Sequence, residues 1–135
     1  AQYIATHLKP LRDFFLVMFF FTVGASIDLH LLPGAWLPIL VLTIVVLLIK
    51  PVTFTRLLHM QGESLPNAKE VGLRLGQASE FSLLVSYVAI HASLLSIESA
   101  VVLQAATVLT LLLNSYFVVS RYPNPIAADP ALRRD

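Results

Sequence analysis

The sequence predicts an all-α, polytopic membrane protein with four transmembrane helices, and three observations carry that prediction. Of the 135 residues 57% are apolar and only 13% charged, and the mean hydropathy is +0.79; soluble domains carry ~25% charged residues. The apolar residues gather in four blocks, each close to the ~20 helical residues that a ~30 Å hydrocarbon core requires. The blocks are continuous rather than alternating, which argues against strands, and a helix satisfies its own backbone polar groups as lipid demands.

The same composition excludes several functions. A net charge of +1 without a Lys/Arg block gives no footprint for a nucleic-acid partner. With no cysteine, disulfides, thiolate metal sites and cysteine nucleophiles are ruled out. His7, His30, His59 and His91 lack metal-ligand spacing, and no phosphate loop, HExxH or nucleophile–base pair is present. The sequence therefore offers no catalytic residues, no metal site and no enzyme chemistry.

Block one covers about residues 11–31 and holds Phe14, Phe15, Phe19, Phe20 and Phe21, a lipid-facing or packing surface. The chain opens Ala1-Gln2-Tyr3 without methionine or a cleavage site, so it reads as the middle of a longer protein. Leu32-Pro33-Gly34 is expected to turn into block two, about 36–58, where Lys50-Pro51 interrupts the apolar run and Pro51 leaves the carbonyl of Leu47 without a donor. A loop over 61–67 leads to block three, about 70–92. Block four, about 97–120, opens with Ser96 as N-cap and Glu98 on the helix dipole. These spans make up a membrane domain over 1–120, and residues 121–135 form a Pro-rich linker or tail.

Orientation follows from the cations. Lys9, Arg12, Arg56, Lys69, Arg121, Arg133 and Arg134 fall on one side of a four-span topology, and the other two connections hold none. Cytoplasmic loops are enriched in Lys and Arg, which places both ends of the chain in the cytoplasm and Trp36 at the far interface.

Lys50, Arg74 and Glu80 lie inside apolar blocks, where a charge costs ~3 kcal/mol at the bilayer centre and marks a protein interior or a water-filled cavity. Lys50 lies ~12 Å from Leu58 along its helix and Glu80 ~15 Å from Glu70, so the two have similar depths and could meet. The alternative for Lys50 is a lysine that snorkels to the cytoplasmic face. For Glu80 it is a structural ion pair or a protonated acid bonded to serine. Arg74 is placed to pair with Glu70 at i,i+4. Gly72 and Gly76 form a small-xxx-small pair continued by Ala78, Ser82 and Ser86, which lets another helix approach closely. Gly24, between Thr22 and Ser26, fits close packing or a strained helix. Gln104, Thr107 and Asn114 share a face suited to interhelical hydrogen bonds.

Two of these segments carry a resemblance. Phe19-Phe20-Phe21-Thr22-Val23-Gly24-Ala25-Ser26-Ile27-Asp28 resembles the Phe-Phe-x-x-x-Gly signature of the Kef-type monovalent cation/proton antiporters, the family that includes glutathione-gated potassium efflux systems. Gly76-Gln77-Ala78-Ser79-Glu80-Phe81-Ser82 is similar to that family's Gly/Ser-Glu-Phe helix, with serine where glycine is common. Lys50-Pro51 lies between them, and Arg121-Tyr122-Pro123 matches the place where such membrane domains end.

The resemblance implies the C-terminal part of a sodium/hydrogen exchanger membrane domain, an inverted-repeat fold in which two broken helices cross at the midplane. Block three would be one of them. Lys50 and Glu80 become the ion-site or charge-coupling candidates, supported by Gln77, Ser79 and Arg74, with Pro51, Gly72, Gly76 and Gly24 shaping breaks and packing. The implied mechanism is competition of a proton with K⁺ or Na⁺ for a buried carboxylate on a helix outside this chain, which Lys50 holds ionised in the ion-free state. It needs no cofactor beyond the transported ions. The implied partners are the N-terminal helices of the same domain, a C-terminal nucleotide-binding regulatory domain, the lipid of an inner (cytoplasmic) membrane and, in the complete protein, a second copy. The rival expectation is a non-transporting four-helix scaffold or subunit that binds helices through its Gly/Ser face.

Overall fold

The computed structural model describes residues 2–122, so residues 123–135, most of the expected linker, lie outside the described residues. The described chain is all-helical: α1 (Gln2–Ser26), a single 3₁₀ turn (Leu29–Leu31), α2 (Leu32–Met60), α3 (Leu65–Arg74), α4 (Phe81–His91) and α5 (Ile97–Arg121). Two segments, Leu29–Met60 and Ile97–Arg121, are long and apolar enough to cross a membrane unaided.

Several features differ from expectation, the first being block one, expected over about 11–31 and found as α1 over Gln2–Ser26. Leu32-Pro33-Gly34 is the first turn of α2 and not a connection, because proline at N1 or N2 loses no intrahelical bond and brings a helical φ. The connection is made earlier by Asp28, whose carboxylate accepts from the backbone N–H of His30 at 3.0 Å and caps the 3₁₀ turn. Pro51 does not open α2, which runs unbroken through both Pro38 and Pro51. Block three, in contrast, is two helices: α3 starts at Leu65 behind Ser64, and the chain leaves helical geometry between Arg74 and Phe81. Block four matches expectation, with Ser96 Oγ accepting from Ser99 N–H at 3.2 Å.

Helices α2, α3 and α5 pack on one another, and α4 lies on α5. Helix α5 contributes most of the interior, and its buried residues include Gln104, Thr107, Thr110 and Asn114, a polar stripe at helical spacing within an apolar helix. Helix α1 packs only loosely on the rest, with Phe14, Phe15 and Phe21 exposed. Gly24 is not a close-packing position, since a Cβ there would meet nothing within 4 Å.

Candidate functional site

The site is the break between α3 and α4, and its cause can be read residue by residue. At the end of α3 the N–H of Leu75 bonds the carbonyl of Val71 at 3.0 Å and that of Gly76 tightens onto Leu73 at 3.0 Å, which ends the helix. Glycine is required there by crowding. A Cβ on Gly76 would lie 2.6 Å from the Pro51 ring and 3.2 Å from Asn114 Oδ1, and one on Gly72 would collide with the Thr55 hydroxyl and come within 2.8 Å of the Pro51 carbonyl. The two glycines thus let α3 lie against α2 at Pro51. Helix α4 begins at Phe81, behind Glu80, and Ser79 Oγ accepts from Phe81 N–H at 3.2 Å in the turn that leads into it.

Backbone groups in an unwound segment need new partners, and two neighbouring helices supply them. From α2, Lys50 Nζ donates to the Gln77 carbonyl at 2.6 Å, with the Phe54 ring centroid 6.0 Å from the ammonium. From α5, Thr110 Oγ1 accepts from Ala78 N–H at 3.0 Å while donating to the Thr107 carbonyl at 2.8 Å. Lys50 therefore points into the break, at the C-terminal end of α3, where the helix dipole favours a cation. Arg74 lies one turn earlier and bonds Glu70 at 2.8 Å, with a further contact of 3.4 Å to the Tyr122 carbonyl.

Glu80 does not join Lys50. Among the described residues no hydrogen bond or ion pair reaches its carboxylate, and its side chain lines a groove with Arg12, Leu16, Phe19, Phe81 and Leu84. No regular helix connects Gln77 to Glu80, and the two line different clefts. Gln77 lines a second cleft with Arg74, Asn114 and Ser115. Asn114 is 2% exposed, and its Oδ1 has no hydrogen-bond partner.

Thr110 was missing from the sequence candidates. Its signal was present, since it lies between Thr107 and Asn114 on the polar stripe of α5. Of that stripe, Gln104 makes the expected interhelical bond, from Nε2 to Ser86 Oγ at 3.1 Å, whereas Thr107 turns back to the Leu103 carbonyl at 2.8 Å.

Residues 1–119 match the family described as sodium/hydrogen exchanger, transmembrane. The chain is 30% identical over 113 residues to K(+) efflux antiporter 3, chloroplastic, of Arabidopsis thaliana, covering 84% of this chain and 15% of that protein. It is 29% identical over 111 residues to a KefB relative from Alkalimonas amylolytica, whose name also carries K(+) efflux antiporter, covering 82% of this chain and 17% of the relative. It thus spans about a sixth of the length of these relatives. No solved structure matches the chain.

Proposed function

Because the chain belongs to the sodium/hydrogen exchanger transmembrane family, we propose that it is part of a multi-pass secondary transporter that exchanges K⁺ or Na⁺ for protons. The observation that carries this reading is the 2.6 Å bond from Lys50 to Gln77. It brings a cationic side chain from one apolar helix into the unwound middle of another, and broken helices of this kind hold the ion sites of secondary transporters.

In this reading α1, α2, the α3–α4 pair and α5 are four spans of an inverted-repeat domain completed by helices beyond this chain. Both ends lie in the cytoplasm, with an inner (cytoplasmic) membrane as the location. A second copy and a nucleotide-binding regulatory domain complete the assembly.

The chemistry follows from the end of α3. Its terminal carbonyls carry partial negative charge, and the Lys50 ammonium neutralises them when no ion is bound. An incoming K⁺ or Na⁺ is attracted to the same carbonyls and to the carboxylate expected on a neighbouring helix, so it competes with Lys50. A proton arriving at that carboxylate removes its charge and releases the cation. Gln77, Ser79 and Thr110 hold the segment open for this exchange, and the Arg74–Glu70 pair anchors the α3 half.

The test is transport by the full-length protein in vesicles. The expected result is K⁺- or Na⁺-driven proton movement that falls at neutral pH in Lys50→Ala and recovers in part at higher pH, where the unaccompanied carboxylate ionises. A Lys50→Ala profile superimposable on the parent's would remove Lys50 from the site.

A further inference from the structure

We propose that Arg12 and Glu80 form an ion pair that latches α1 to the broken helix in one access state of the transporter. The inference rests on the transport reading above and adds a contact that the present conformation leaves open.

Both side chains line the groove of about 610 Å³ between α1 and α4, and the rest of its wall is Leu16, Phe19, Phe81 and Leu84. Opposite charges lining one groove with apolar walls attract each other. Neither charge is well served here. Glu80 has no hydrogen-bond or ion partner among the described residues, although it starts a helix of apolar residues. Arg12 pairs with its chain neighbour Asp13 at 2.9 Å, with side chains 65% and 52% exposed; adjacent helical residues do not face each other, and an exposed pair contributes little.

Depth permits the contact. Arg12 lies 14 residues before the end of α1 and Glu80 11 residues before the end of α4, which are ~21 and ~17 Å of helix. The ~4 Å difference is within the reach of an arginine side chain.

Within this chain α1 is the loosely packed element, whereas α2 to α5 hold together, so closing the groove would disturb few contacts among the described residues. The pair would then link the position of α1 to the α4 half of the break, three residues from the carbonyl that Lys50 holds.

The experiment uses the full-length protein in proteoliposomes, with Arg12→Glu, Glu80→Arg and the double exchange. Each single variant places like charges across the groove and should reduce exchange by about tenfold or more, and the double exchange should return it to within about threefold of the parent. Monodispersity in detergent identifies variants that do not fold. A second measurement covers that case: Arg12→Cys with Glu80→Cys in a cysteine-free background should be bridged by a bis-methanethiosulfonate reagent as long as an arginine–glutamate pair, since the pair is too wide for a direct disulfide, and bridging should stop exchange until reduced. A folded double exchange as inactive as the singles, or no cross-link, overturns the latch and assigns Glu80 a partner elsewhere. Parental protein without cation/proton exchange would instead overturn the transport reading beneath it.

Discussion

Lys50 Nζ and the carbonyl oxygen of Gln77 are 2.6 Å apart across two helices, so the lysine that interrupts one apolar block satisfies the backbone of another at the point where that block unwinds. The ammonium is not directed to the surface. Its position also stabilises the break, because the unwound Gln77 carbonyl would otherwise lose this donor.

Replacing Lys50 should therefore act on stability as well as transport. Lys50→Met keeps the apolar stem and removes the donor, and should cost about 1–3 kcal/mol, the penalty of an unsatisfied buried carbonyl. Thermal unfolding of the full-length protein in detergent measures it. A melting curve identical to the parent's would show that water or another group replaces the ammonium.

Gly72→Ala and Gly76→Ala should each destabilise by about 1–3 kcal/mol through overpacking, since an added Cβ meets Thr55 and Pro51 in one case and the Pro51 ring in the other. Gly24→Ala should be neutral or stabilising by up to about 1 kcal/mol, because its Cβ enters open space. The ordering of the three melting temperatures checks the packing of α3 on α2.

Thr110→Val should leave the Ala78 N–H without its acceptor and cost about 1–3 kcal/mol, whereas Thr110→Ser should keep most of the stability. Faster hydrogen exchange over residues 76–80 in the valine variant, with α2 unaffected, would locate the effect in the break.

Reporter fusions near Gly62 and after Arg121 should report cytoplasm, and one near Pro33 the far side, if the cations set the orientation. A far-side signal at Gly62 would require a different number of spans.

Much of this was legible in the sequence. Apolar blocks are local and long, so their length and continuity predicted helical spans, and Ser96 marked the start of α5. The charges inside those blocks singled out Lys50, Glu80 and Arg74, because their desolvation cost depends only on where they lie along the apolar run. The i,i+4 pairing of Arg74 with Glu70 was readable too, since it needs nothing beyond the helix that carries it.

Other features needed the assembled structure. Residues 70–92 read as one apolar run, and only packing showed where it splits: Gly76 is pressed against Pro51 of α2 while Lys50 and Thr110, from helices distant in the chain, take over the backbone bonds that the helix gives up. Lys50 and Glu80 have similar depths only along a straight helix, and with the break in place Glu80 lines the groove beside α1. Hydrophobicity and charge are properties of a residue and its near neighbours, so the sequence determined which segments are helical and which side chains are costly. The location of the break and the group each charge meets depend on contacts between helices far apart in the chain, and those were decided only when the helices packed.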